Sequence, residues 1–151
     1  MKYFFFLSLL FYCLSTGAQR PNPAYDSTLA RKLGADERGM KMYVLVLLKS
    51  GPNNVTDSLK RTEMFAGHFK NIHRMADMGK LIVAGPLDKN DLSYRGIFIL
   101  DVQSFDEAKT LLQGDPTISG KIFEPVYLNW YGSAALREYI PSDEKIRKSL
   151  D

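Results

Sequence analysis

The chain has 151 residues, with 20 basic against 17 acidic side chains, two histidines and one cysteine. That length can bury an ordinary hydrophobic core, and a lone cysteine excludes a disulfide framework. The charges are interspersed and nearly balanced, with no basic stripe of the sort that tracks phosphates, which argues against nucleic acid as a partner.

Lys2 places a positive charge at the start, and Tyr3 to Leu14 form an apolar run too short and too N-terminal for a membrane span. Ser15-Thr16-Gly17-Ala18 is a small-residue cleavage region. Residues 1–18 are therefore expected to be a signal peptide, with Gln19 as the mature N-terminus; a retained N-terminal anchor is the competing expectation. Cys13 lies inside the apolar run without the context of a lipoprotein cysteine. Cleavage would leave 133 residues, 19 basic against 17 acidic, with no thiol and no disulfide. Such a product is exported, periplasmic or secreted, with no membrane attachment after cleavage.

Residues 19–41 read as a polar N-terminal extension punctuated by Pro21, Pro23, Gly34 and Gly39, in which Asp26 to Leu33 can make two turns of helix. Tyr43 to Leu48 is an unbroken apolar run closed by Gly51-Pro52, a strand followed by a turn. A helix from about Asp57 to Met78 follows. Phe65, Phe69, Ile72 and Ala76 recur at helical spacing, Thr56 or Asn54 is placed to cap the start, and Gly79 stands where a left-handed stop is wanted. Asn54-Val55-Thr56 matches a glycosylation acceptor but reads better as this helix-start turn. Leu81 to Ala84 is a second strand ended by Gly85-Pro86, and Gly96 to Val102 a third. Ser104-Phe-Asp-Glu107 is a capping box that opens a second helix ending at Gly114. Lys121 to Trp130 is the fourth strand, and residues 132–151 a polar tail with a short helix. The basic cluster Lys145-Ile146-Arg147-Lys148 in that tail, flanked by Asp143, Glu144 and Asp151, reads as a solvated helix end.

The order βαββαβ is that of the α+β, ferredoxin-like plait, with an antiparallel four-stranded sheet in the order 4-1-3-2. Pro125 cannot donate to a ladder, and this order puts its strand on an edge, as required. Tyr43–Leu48 and Ile97–Leu100 are apolar at every position, whereas an antiparallel sheet with one wet face alternates. Both faces are expected to be covered, one by the helices and the other by a second copy in a homodimer joined through its sheet faces. Coverage of that face by the tails is the alternative.

His68 and His73 are the only side chains whose ordinary titration lies near neutral pH. They stand five apart, off the spacing of a helical metal pair, and with no cysteine in the mature chain no metal is expected. In the plait, His68 in the upper half of the first helix, Asp115 just past the second helix and the loop Pro86–Arg95 reach a common end. A neutral imidazole oriented by a carboxylate is a general base or acid. Gly51-Pro-Asn-Asn and Gly85-Pro-Leu lack the spacing of phosphate loops and read as turns. Arg95 and Tyr94 are placed to hold an anionic or phenolic ligand, and Asn71, one turn from His68, to reach the cleft rim, with Gly85 and Pro86 beside it. Trp130 and Tyr131 read as packing for the end of the edge strand.

His68, the run Gly79-Lys-Leu-Ile-Val-Ala-Gly85-Pro86 that ends seventeen to eighteen positions later, Asp115-Pro116 and a last strand with Trp130 together resemble the YciI-like (YCII-related) domain over about residues 42–131. The resemblance singles out His68 rather than His73. It implies a dimeric α+β barrel of ferredoxin-like subunits and a small cleft in which His68 and Asp115 are the proposed catalytic pair. It also implies that a few relatives are dehydrochlorinases of chlorinated aromatic rings. A lone-histidine haem, found in related barrels, is the weaker reading, and no cofactor is expected. The expected function is a lyase- or isomerase-type enzyme acting on a small aromatic or lactone-like molecule by proton abstraction or elimination. The alternatives are a non-catalytic module that binds a small ligand or a protein, and a purely structural dimer in which His68 is a core residue.

Overall fold

A computed structural model describes residues 22–148. The signal peptide expected at 1–18, the start at Gln19, Pro21 and the terminal Asp151 lie outside the described residues. Among the described residues no helix is long and apolar enough to cross a membrane.

The elements are α1 (Ser27–Leu33), β1 (Met40–Ser50), α2 (Ser58–Asp77), β2 (Leu81–Pro86), β3 (Tyr94–Leu100), α3 (Phe105–Leu112), α4 (Pro116–Ser119), β4 (Phe123–Ser133), a 3₁₀ turn (Ala134–Tyr139) and α5 (Ile140–Ile146). The strands form one antiparallel sheet in the order β2-β3-β1-β4, so β1, α2, β2, β3, α3 and β4 make the ferredoxin-like plait. β4 is an edge, and Pro125 lies opposite Leu48 on it, where a residue without an N–H is tolerated.

Local chemistry explains where the elements begin and end. Asp26 caps α1 by accepting from the Thr28 and Leu29 amides. α2 is capped by Asp57, whose carboxylate accepts from Leu59 N (2.9 Å) and Lys60 N (3.2 Å). This replaces the expected cap at Thr56 or Asn54; the carboxylate also complements the positive end of the helix dipole. Gly79 ends α2 at φ 65°, and its amide bonds to Ala76 O while that of Lys80 bonds to Met75 O, satisfying the last carbonyls. Ser104 caps α3 by accepting from Glu107 N. The Glu107 carboxylate reaches back one residue further than a capping box requires, to Gln103 N.

The main core lies between the sheet and the pair α2, α3: Val44, Val46, Leu48, Phe98 and Leu100 pack against Met75, Ala108, Leu111 and Leu112. The opposite sheet face is covered in part by the chain's own tail. Leu136 of the 3₁₀ turn packs with Tyr43, Ile82 and Ile99, and Trp130 stacks on Tyr43 at 5.6 Å. Arg137 fixes this turn by donating to Gly79 O (2.6 Å) and to Asp101 (3.0 Å), and the Tyr139 hydroxyl donates to Ile82 O. The rest of that face is uncovered: Leu45, Leu47, Ile97 and Val126 are half-buried and Leu128 is exposed, and they are neighbours across β3, β1 and β4. The tail thus covers part of this face, as the alternative expectation has it.

Candidate active site

α2 and α4 place the central pair. Asp115 closes the turn after α3 and caps α4, with Pro116 at the first helical position, where a missing N–H costs nothing. Its Oδ1 accepts from Thr117 N (2.9 Å) and from the Thr117 hydroxyl (2.7 Å), and its Oδ2 accepts from His68 Nδ1 at 2.6 Å. Asp115 and Thr117 are fully buried and His68 nearly so. The Thr117 amide donates to the carboxylate, which its partners hold ionised, and beside an ionised carboxylate the imidazole proton is assigned to Nδ1. Burial pushes the Asp115 carboxyl up, but the hydrogen bonds from His68 and Thr117 and the charge on His68 outweigh it and hold it below its ordinary value.

Gly67 makes this approach possible. A Cβ there would stand 2.5 Å from Pro116 Cγ and 3.1 Å from its Cδ, so only glycine lets α2 close on α4. In a free helix Gly→Ala gains about 1 kcal/mol. Here the clash with a stiff ring reverses the sign, and Gly67→Ala is expected to destabilise the fold by about 1–2 kcal/mol, the usual scale of overpacking. The midpoint of urea unfolding checks it.

Among the described residues His68 Nε2 has no hydrogen-bond partner and no buried side-chain nitrogen or oxygen lacks one, so Nε2 is open. It opens on a cavity of about 440 Å³ between α2, β2, β3 and the C-terminal tail. Phe65, Phe69, Phe98 and Phe123 surround the ring with centroids 5.7–6.1 Å away. The apolar stripe of α2 forms the cavity wall: Phe65, Phe69, Ile72 and Ala76 all line it, and Phe69 is 56% exposed. The face that packs inward carries His68, Asn71 and Met75 instead.

Of the residues expected at the site, His68, Gly85, Pro86 and Arg95 line this cavity and Asp115 stands behind His68. Asn71 and Tyr94 do not line it, which corrects their expected place. Asn71 is buried with its amide turned to α3, donating to Leu111 O (3.4 Å) and accepting from Arg74 (2.7 Å); together they satisfy a carbonyl that the end of α3 leaves unpaired. Tyr94 stands opposite the exposed Lys49 of β1, past a shift in the β1–β3 register. Four polar lining residues were not expected at the site. His73 lies at the exposed rim, and Tyr139, Asp143 and Arg147 come from the tail, where Arg147 pairs with Asp143. Thr117 was also missed, although Asp-Pro-Thr is a helix-start signal that would have revealed its amide and hydroxyl as carboxylate partners. Among the described residues no group of three or more His, Cys, Asp or Glu is placed to hold a metal ion.

A four-stranded plait with a buried histidine–carboxylate pair beside an apolar cavity defines the class of protein. Residues 42–130 match the model of the YCII-related domain, and the chain belongs to that family. No curated protein matches it. Among solved structures, the 5-chloro-2-hydroxyhydroquinone dehydrochlorinase of Burkholderia phenoliruptrix AC1100, in complex with 2,5-dihydroxybenzoquinone, is similar at 18% identity with a TM-score of 0.41, over 58% of this chain and 92% of its own.

Proposed function

We propose that the protein is an exported enzyme that removes a proton from a small, largely apolar molecule, using its own side chains. The observation that carries this reading is the division of labour on one ring: Nδ1 is committed to Asp115 at 2.6 Å, while Nε2 opens on the cavity. A neutral imidazole so held presents its Nε2 lone pair to a C–H bond, and Asp115 stabilises the imidazolium that forms. The electron pair of the C–H bond then either rests on a neighbouring carbonyl or forms a double bond as a leaving group such as chloride departs. The proton passes from Nε2 to solvent. Four phenylalanines around the ring keep water sparse and suit a flat, apolar substrate. Membership of the YCII-related family makes an enzymatic role reasonable, and the export rests on residues 1–18.

Proton abstraction has a direct readout. Small hydroxylated aromatics, lactones and their chlorinated forms are incubated with the protein in D₂O, and deuterium uptake at carbon and chloride release are followed. Uptake or release that saturates with substrate supports the reading. Compounds that raise the melting temperature yet never exchange or lose chloride would make the cavity a binding site and the protein a non-catalytic module.

We further propose that it works as a homodimer through the open sheet face. Leu45, Leu47, Ile97, Val126 and Leu128 form one apolar patch across three strands, the kind of surface that marks an interface. Sedimentation is expected to show a dimer, and Leu128→Asp to weaken it by more than about 100-fold, since an unpaired carboxylate in an apolar interface costs several kcal/mol. A monomeric wild-type protein would refute the assembly.

A further inference from the structure

Among the described residues Arg95, which lines the cavity, has no ion-pair partner. β1 and β3 pair in register from Val44 opposite Leu100 to Leu48 opposite Gly96, but Lys49 is opposite Tyr94, so Arg95 is the extra residue of a β-bulge. Regular alternation would send Arg95 to the face of Ile97 and Ile99, away from α2. The bulge re-aims it to the side of Gly96 and Phe98, which is how a bulge beside a site acts. There its Nε donates to Ser50 Oγ at 2.8 Å and its Nη1 to Tyr94 O at 3.3 Å, both neutral acceptors. Among the described residues its Nη2 makes no hydrogen bond and Arg95 forms no ion pair. Asp143, the acid that lines the cavity, is taken up by Arg147.

A half-buried guanidinium against an apolar wall, pinned along one edge and with no carboxylate in ion-pair reach among the described residues, leaves its accessible Nη2 free to receive an anion. Its planar fork matches the two oxygens of a carboxylate. We propose that Arg95 is the substrate-anion site: the molecule that fills this cavity carries a carboxylate held by Arg95, and presents its reacting carbon to His68 Nε2. The second clause rests on the proton-abstraction reading above; the first does not. The substrate class is thus a small organic acid with an apolar ring or chain, rather than a neutral lactone.

Isothermal titration of the full chain with benzoate and with its neutral isostere benzamide tests this. Benzoate is expected to bind and benzamide to bind at least about tenfold more weakly, the scale of one charge-assisted hydrogen bond. Arg95→Gln should remove that preference, while Arg95→Lys, which keeps the charge but not the fork, should retain part of it. A merely structural Arg95 would lower the melting temperature of these variants without moving the benzoate-to-benzamide ratio. Equal binding of the two probes, no binding of benzoate, or a ratio unchanged in Arg95→Gln overturns the proposal. The two readings fail separately: benzoate selectivity in a wild-type protein that never exchanges a carbon-bound proton keeps the anion site and discards the catalysis, whereas exchange that His68→Asn abolishes, in a protein that binds both probes equally, keeps the catalysis and discards the anion site.

Discussion

His68→Asn is expected to cut turnover by about 10²–10⁴-fold, the usual contribution of one positioned base, with little change in ligand affinity. The substitution is chosen for its geometry. The asparagine amide can donate to Asp115 from near the place of Nδ1, so the carboxylate keeps a partner, while nothing replaces Nε2. His68→Ala would remove both functions and leave a void beside Phe98 and Phe123, whose rings stand 6.0 and 5.8 Å from the imidazole. Comparing the pair under saturating and limiting substrate separates chemistry from binding: a base acts in the transition state, so kcat falls and KM does not rise. Turnover that persists in His68→Asn would show that the proton goes elsewhere, with His73 at the cavity rim the next group to test.

The largest expected loss of stability belongs to Asp115→Ala. The carboxylate caps α4 and receives three donors while fully buried. Losing the cap costs about 1 kcal/mol, and stranding buried donors about 1–3 kcal/mol more, so a loss of about 3 kcal/mol and about 10 °C in Tm is expected. Its pH dependence has a definite sign. Although burial pushes this carboxyl up, the hydrogen bonds from His68 and Thr117 hold it below its ordinary 3.8 when folded. The folded state therefore binds the proton less readily than the unfolded chain. The stabilisation is present above about pH 4 and is lost as pH falls through the folded value. Urea titrations of both proteins at pH 6 and at successively lower pH should show the gap between them closing only below pH 3.8. A gap that stays constant into that range would mean the carboxyl is not held ionised by these partners.

The plait was legible in the chain because its signals are local. Continuous apolar runs such as Tyr43–Leu48, the Ser104 cap, the Gly79 stop and the restriction of Pro125 to an edge each follow from chemistry within a few residues. Topology then carried His68 and Asp115, which are 47 residues apart in sequence, to one end of the molecule. The contour of the site was harder to read. Helical periodicity reports which residues avoid water, and it cannot say whether they do so against a core or around a cavity; Phe65, Phe69, Ile72 and Ala76 do so around the cavity. The place of Asn71 depended on which carbonyl of α3 lacked a partner, a fact held by another element.

The amino-acid sequence by itself determined the strand order, the two packed helices, the histidine–aspartate pair and the doubly apolar central strands, because burial, capping and backbone restriction act residue by residue. Tertiary structure alone decided which way the side chains at the site point. One extra residue in β3 turns Arg95 inward and leaves Tyr94 outside, since a single-residue slip in a strand exchanges its two faces. The absence of a Cβ at Gly67 lets α2 close on Pro116 and brings Asp115 within 2.6 Å of the imidazole. The tail's Arg137, bound to Gly79 O and Asp101, brings Tyr139, Asp143 and Arg147 to the cavity wall. Each of these outcomes rests on contacts between segments distant in the chain, where no local preference is strong enough to decide.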